Sequence, residues 1–360
     1  MDSEQTIQSE AQGPGALDRL LAHGLVPDFL IRSGIRRLNR VRLKEEFAAN
    51  HEVSQKRQQE LIARIRKSPL AVSTREANEQ HYEVPPEFFE LVLGKHLKYS
   101  SAYWGEGDKT LEEAEERMLK LTCQRAQLEG AKSILELGCG WGSLTLYMAE
   151  HFPSAQITAV SNSQPQRLFI EARARQRGLK NITIITSDMN SFEPSDTFDR
   201  IVSVEMFEHM RNYEILFDRL SKWLNLGGKL FVHIFTHKHI SYLFEPRDSS
   251  DWMSRYFFTG GIMPSNHLLL YFAQGFTISD HWIVNGQHYQ KTSEAWLKNM
   301  DNNLHRIRRL FDETYGAESR KMIEYWRIFF MAVAELFGTK KGEEWMVNHY
   351  LFEKTGNRGS

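Results

Sequence analysis

The segment SILELGCGWGSLTLYMAEHF, residues 133–152, restricts the fold more than any other part of the chain. A short apolar run meets a turn with three glycines, Gly138, Gly140 and Gly142, and leaves it with helical periodicity. Strand, glycine turn and helix in that order open a βα unit, because glycine accepts positive φ and lets a ligand approach the backbone closely. The rhythm continues downstream. QITAVSNS reads as a strand and QPQRLFIEARARQRG as a helix closed at Gly178. NITIITSD and FDRIVSVE read as strands, YEILFDRLSKWLNLGG as a helix with a glycine stop, and KLFVHIFTH as another strand. Such alternation predicts an α/β fold with a doubly wound, mostly parallel sheet.

Other elements flank this block. Residues 16–66 are helical in pattern and rich in Arg and Lys, which reads as the solvated face of helices. The pair Pro85–Pro86 opens a helix at PPEFFELVL, and LEEAEERMLKLTCQRAQL is strongly amphipathic. After an irregular aromatic segment, 238–276, come a strand (FTISDHWIVN), one long helix (SEAWLKNMDNNLHRIRRLFDETY), a second helix (MIEYWRIFFMAVAELF) and a last strand (EEWMVNHYLFEK). The expected organisation is a disordered tail over 1–15, an N-terminal helical extension over 16–75, one domain over 76–354 in which 238–340 forms a helical and aromatic cap, and a short tail over 355–360.

Bulk properties exclude little but guide the partners. A formal net charge of −1 and a pI near 6.9 give no reason to expect nucleic acid. The longest apolar runs, LLLYFAQGF and IFFMAVAELF, are too short to span a bilayer, so no integral membrane association is expected. Two cysteines without metal or disulfide spacing, and a polar start unlike a signal peptide, point to a reducing, cytoplasmic setting. His233, His237 and His239 lack companions at metal-ligand spacing, so no metal is expected. A homodimer is left open.

The glycine turn alone also admits a dinucleotide. Two features argue against NAD. Glu136 stands two residues before the first glycine, and the second strand ends in Ser161 and Asn162 rather than in an acid. An acid does end the third strand: Asp188 can accept from an adenine amino group. Strand-E-x-G-x-G-x-G-helix followed by strand-D is the pattern of S-adenosyl-L-methionine (SAM) methyltransferases.

From about Asn78 to Lys354 the chain resembles the cyclopropane-fatty-acid-synthase-like class of these enzymes, and within it the coclaurine N-methyltransferase branch. The residues that carry this are QHYEVPPEFFELVLGKHLKYSSAYW, ILELGCGWGSLTLYMAEHFP, EMFEHMRNYE, THKHISYLFEPRDSSDW, HWIVNGQHYQKTSEAWLKNMDNN and GEEWMV. The resemblance implies a Rossmann-like class I methyltransferase fold with helical additions closing a pocket. It implies that SAM, leaving as S-adenosyl-L-homocysteine, is held by Tyr82, Ser100, Ser101, Glu136, Gly138, Gly140, Asn162, Gln166, Asp188 and Met189. Asp188 and Met189 would flank adenine and Gln166 would reach ribose. It implies an acceptor site lined by Tyr82, Glu205, His233, Trp326, Phe329 and Phe330, with Glu208 and His209 assisting transfer.

The class divides between methyl and methylene chemistry. Cyclopropane synthases resemble one another in a bicarbonate site. Its ligands are a Cys in YSCAYW, the Glu of FEH, a His on the following strand and a Tyr after an AW pair. Here Glu208 and His233 are present, Ser101 replaces the Cys, and Leu297 follows the AW pair. Leucine cannot hydrogen-bond an anion, which disfavours cyclopropanation; a lipid-modifying enzyme, either a cyclopropane synthase or a fatty-acyl C-methyltransferase, remains the alternative. A small-molecule amine fits better. An aliphatic amine with a pKa of about 10 arrives protonated. Carboxylates attract the ammonium and His can take or relay its proton. In VSVEMFEHMRNYE, Glu205 and Glu208 would share a face at i, i+3 of a first helical turn, Glu205 as anchor and Glu208 as base or as orienter of His209.

Overall fold

The computed structural model describes residues 16–47, 50–72, 84–245 and 260–355. Its strands are β1 (Ser133–Leu137), β2 (Gln156–Ser161), β3 (Ile182–Thr186), β4 (Phe198–Val204), β5 (Leu224–His237), β6 (Tyr242–Leu243), β7 (Ile262–Met263), β8 (Phe276–Val284) and β9 (Trp345–Lys354). Among the described residues, seven of them form one sheet in the order β3-β2-β1-β4-β5-β9-β8, and β6 and β7 pair apart from it. The pairs from β3 to β5 are parallel, while β9 runs antiparallel to both β5 and β8. This is the doubly wound, mostly parallel sheet expected from the alternation. Helices cover both faces, so β1 and β9 are buried along nearly their whole lengths, whereas β8 forms an exposed edge.

The order of the sheet positions the site. From β1 the chain works outward to β2 and β3, then returns to lay β4 against the other side of β1. Ligands of open α/β sheets bind outside the carboxyl ends of strands at such a reversal. The register sets Leu137 beside Ser203, Val204 beside His233, and His233 beside His349. The end of the glycine strand and the end of the glutamate strand are therefore neighbours.

Two boundaries differ from the sequence reading. LNLGG does not finish a helix: the helix Tyr213–Trp223 stops first and β5 begins at Leu224. Pairing with β4 jumps from Phe198↔Leu224 to Arg200↔Lys229, so Asn225–Gly228 is a bulge that the glycines make affordable in conformational terms. The long helix after β8 is two, Gln287–Asn302 and Leu304–Tyr315. Asn303 divides them, its side-chain amide donating to the carbonyls of Leu91 and Asn299. A short amide that bonds to main chain competes with helix continuation.

The basic N-terminal helices keep a largely solvated face, with no buried residue in helix Asp28–Glu46, yet ion pairs tie them to the rest of the fold. Arg32 of helix Asp28–Glu46 makes a fork to Glu294 at 2.6 and 2.8 Å and reaches Glu335 at 3.1 Å. Arg327 returns the contact to Asp28. Helix His51–Arg66 buries Ile62 and Ile65, and Asn212 fastens its end by donating to the carbonyls of Arg66 and Ser68. The tail 1–15 and residues 356–360 lie outside the described residues.

Candidate active site

Two backbone turns create the site. Gly138 follows β1 at φ +80°, and a Cβ there would stand 2.7 Å from the Cβ of Met206, so only glycine lets the ends of β1 and β4 converge. The helix Ser143–His151 then starts behind Gly142, also at φ +80°. After β4 comes Glu205, at φ +48° although it is not glycine. Such a conformation costs roughly 1–3 kcal/mol and persists only where neighbours hold it. Its N–H donates to the carbonyl of His233 at 2.8 Å. This corrects the expected helical register. The helical turn is a single 3-10 turn, Phe207–His209, and Glu205 lies outside it, so the two glutamates do not share a face by i, i+3 spacing.

The Glu205 carboxylate is well held. Oε1 accepts from the Ser101 amide at 2.9 Å and from His233 Nε2 at 3.1 Å, and Oε2 accepts from the Tyr289 hydroxyl at 2.6 Å. Beyond it, His233 Nδ1 meets His349 Nε2 at 2.9 Å, and His349 Nδ1 meets Arg125 Nη1 at 2.8 Å. Glu208 is buried without such support, and neither carboxyl oxygen has a hydrogen-bond partner among the described residues. Burial and the nearby Glu205 charge push Glu208 well above the carboxylate range, against a weaker pull from the backbone amides of Glu208 and Phe235, which face the carboxyl without reaching good hydrogen-bond geometry. Glu205 is raised too, by burial, but Lys98 and the Tyr289 hydroxyl oppose the rise. The pair therefore holds its negative charge on Glu205 and keeps Glu208 neutral. His209 is half-buried and close enough to Glu205 to favour its ionised form. Lys98 is buried, donates to the Ser100 hydroxyl, and is brought down to about 8 by burial, with Glu205 and Glu115 opposing.

A cavity beside this cluster is lined by Lys98, Tyr99, Ser100, Glu136, Gly138, Gly140, Gln166 and Glu205. It gathers five of the expected cofactor residues: Ser100, Glu136, Gly138, Gly140 and Gln166. The donor set fits SAM. A buried Lys–Ser pair suits a carboxylate. Gln166 spends its Oε1 on the Ser161 hydroxyl at 2.7 Å and leaves its buried amide nitrogen for a ligand hydroxyl. Asn162, Asp188 and Met189 stand at the ends of β2 and β3, outside the cavity lining; Asp188 accepts from the Asn190 amide at 2.7 Å. Ser101 contributes its amide, while its hydroxyl donates to the Ala102 carbonyl at 3.1 Å. Tyr82 lies outside the described residues.

The expected acceptor residues divide. Trp326, Phe329 and Phe330 are buried in an aromatic cluster with Phe88, Phe89 and Trp296. That cluster reaches the cavity at Trp141 and at Tyr99, the latter 6.4 Å from Trp326 between ring centroids, so these three lie behind the lining and are not part of it. His233 has both ring nitrogens engaged and acts on the site through Glu205. Leu297 is packed in the apolar core, yet a tyrosine hydroxyl is present: Tyr289, more than two turns upstream on the same helix, supplies it. The missing hydroxyl is thus no argument against cyclopropanation. What distinguishes the site is that the chain's own carboxylate sits among the donors. Tyr289, Lys98, His349 and Arg125 escaped the sequence reading. Lys98, inside the KYSSAYW stretch, and Tyr289, inside HWIVNGQHYQKTSEAWLKNMDNN, stood within motif stretches; Arg125 and His349 did not.

Glu136 yields a prediction here. It is buried, accepts from the Thr145 hydroxyl, and burial raises it from 4.5 to about 7. A raised carboxylate gives stability that is present below its unfolded value and lost as pH rises through the folded one. Glu136→Gln should therefore stabilise the ligand-free protein by up to about 3 kcal/mol at pH near 8 and change little near pH 4.5. Denaturant melts at the two pH values check this.

Residues 71–345 match the family model for mycolic acid cyclopropane synthetase. The chain belongs to that family. It is 40% identical to the (S)-coclaurine N-methyltransferase of Thalictrum flavum subsp. glaucum, over 92% of this chain and 93% of the relative. To the pavine N-methyltransferase of the same plant it is 35% identical, over 97% and 99%. A crystal structure of coclaurine N-methyltransferase bound to N-methylheliamine and SAH superposes with a TM-score of 0.91 at 38% identity, covering 94% of this chain and 99% of that one. The chain is thus a SAM-dependent methyltransferase of class I fold, on the N-methyltransferase side of its family. No helix among the described residues is long and apolar enough to cross a membrane.

Proposed function

We propose that the chain methylates the nitrogen of a benzylisoquinoline-type amine, with a tetrahydroisoquinoline ring as acceptor, and that Glu205, Glu208 and His209 manage the amine's proton. The observation that carries this reading is the pair of carboxylates beside the SAM cavity, one anchored by three donors and the other buried with no side-chain donor among the described residues. The curated relatives act on amines of this class by name.

When bound, SAM supplies an electrophilic methyl on a positively charged sulfur. Glu205 presents a fixed negative charge that draws the substrate ammonium in. The approach of two cations to two carboxylates favours ionisation of Glu208, which is neutral while the pocket lacks them, its first proton leaving by way of half-buried His209 to solvent. Glu208, a stronger base for being buried, then receives the ammonium proton, with His209 beside it to orient or relay. The freed nitrogen lone pair would then be available to that methyl, and the aromatic residues Trp326, Phe329 and Phe330 behind the cavity limit the poses the ring can adopt.

The seat around Glu205 also bears on the lipid alternative. An anion cradle of amide, imidazole and phenol would hold bicarbonate, but here it is filled by a side chain, which supports methyl over methylene transfer. The test is SAM turnover with secondary amines, phenols and phospholipid vesicles in parallel, reading product masses and N-methyl NMR signals. Turnover of amines alone is expected. Product only from phospholipid would overturn the reading.

A further inference from the structure

We propose that Arg125, which lies outside the reaction cavity, is a positioning residue that fixes the tautomers of His349 and His233 and so makes His233 a permanent hydrogen-bond donor to Glu205. The sheet register builds the row. Val204, His233, His349 and Trp282 are successive neighbours across β4, β5, β9 and β8. Arg125, last residue of helix Leu111–Arg125, ends the row by stacking its guanidinium 4.9 Å from the Trp282 ring and directing Nη1 to His349 Nδ1 at 2.8 Å.

The direction of every bond follows from one fact. A guanidinium has donors and no acceptor. His349 Nδ1 must therefore carry the lone pair, which puts its proton on Nε2. That proton is given to His233 Nδ1 at 2.9 Å, so His233 in turn carries its own proton on Nε2 and gives it to Glu205 Oε1 at 3.1 Å. Both imidazoles are wholly buried, and burial together with the Lys98 and Arg125 charges keeps them neutral. His349 and His233 face each other as well as those two cations, and Glu205 faces Lys98, Glu208, His209 and Tyr289. Because the far end cannot accept a proton, the row is not an exit path. It is a lock. His233 has no lone pair directed at the site, cannot serve as base, and keeps Glu205 an acceptor that is ready for an ammonium ion.

The activity part of the test rests on amine methylation, and the spectroscopic part does not. Nitrogen-15 NMR of histidine-labelled protein reads the tautomers directly. In the wild type, His233 and His349 should both carry the proton on Nε2 between about pH 6 and pH 9. Arg125→Met should mix the tautomers of both rings, raise the KM for amine about tenfold, and move the acid limb of kcat/KM to higher pH. Arg125→Lys, which also only donates, should keep the wild-type tautomers and profile. A second pair covers the case in which Arg125→Met does not fold. His349→Gln can accept from Arg125 and donate to His233, so it should preserve the profile, whereas His349→Leu should behave as Arg125→Met does. Nδ1 protonation or an imidazolium at His349 in the wild type would overturn the proposal, as would His349→Gln proving as impaired as His349→Leu. If the tautomers are as stated and no amine is turned over, the lock stands and the acceptor assignment fails.

Discussion

Glu208→Gln is expected to lower kcat with the best amine by about 10²–10³-fold near neutral pH, the contribution of a placed general base. The size follows from where the carboxyl sits. It is buried, has no hydrogen-bond partner among the described residues, and is pushed far up by burial and by Glu205. Glutamine has the same shape and lacks only the ability to take the proton. Two further results distinguish this role from a structural one. First, the deficit should shrink as pH approaches the amine's own value of about 10, because the acceptor then arrives with its lone pair free. Second, the ligand-free variant should be no less stable than the wild type. A carboxyl whose folded value is raised contributes stability below about 4.5 that is lost as pH rises. Burial and the Glu205 charge favour the neutral form of Glu208 in the ligand-free protein, so a neutral amide in its place gives up nothing there. A rate ratio that stays constant across pH would show that Glu208 is not the base.

The same residues show what a sequence can and cannot reveal. The sheet was legible because it depends on period and glycine placement, which are local: Gly138, Gly142 and Gly178 all stand at positive φ where the turns require it. Glu205, Glu208 and His209 were legible as a cluster at a strand end. Their relation was not, because Glu205 takes a left-handed conformation that residue preferences argue against, and it is held there by groups from three distant elements. Tyr289 escaped although it lies inside a resemblance stretch, because the hydroxyl was sought at the position after the AW pair, which Leu297 occupies. The row from Arg125 to His233 escaped for a different reason. It is made by strand register, and β9, the strand that contributes His349, joins β5 only after more than one hundred intervening residues, so no spacing announces it. The boundary errors had local causes as well. Glycines that suit a helix stop equally suit a bulge, as at Asn225–Gly228, and Asn303 breaks a helix through a side-chain bond that periodicity does not register.

Glu205→Gly should produce the other large effect, a rise of about 10²-fold in the KM for amine, the usual scale for truncating one side of a buried charge pair. The backbone favours the change, since glycine adopts φ near +48° without strain. Any loss therefore comes from the carboxylate. Its removal leaves the Ser101 amide, the His233 Nε2–H and the Tyr289 hydroxyl pointing at the space it filled, with Lys98 close by. Three donors and a cation around a carboxylate-sized gap are a receptor for a small planar anion, so formate or bicarbonate should recover a large part of the lost activity in a saturable manner. Chloride at equal ionic strength should not, because it cannot offer two separated oxygens to donors on different sides. Glu205→Gln should lose activity as well and gain nothing from formate, since its amide still occupies the seat. If formate leaves Glu205→Gly unchanged while the protein remains folded, the carboxylate is not held for its charge, and the anchoring of the ammonium must be sought elsewhere in the cavity.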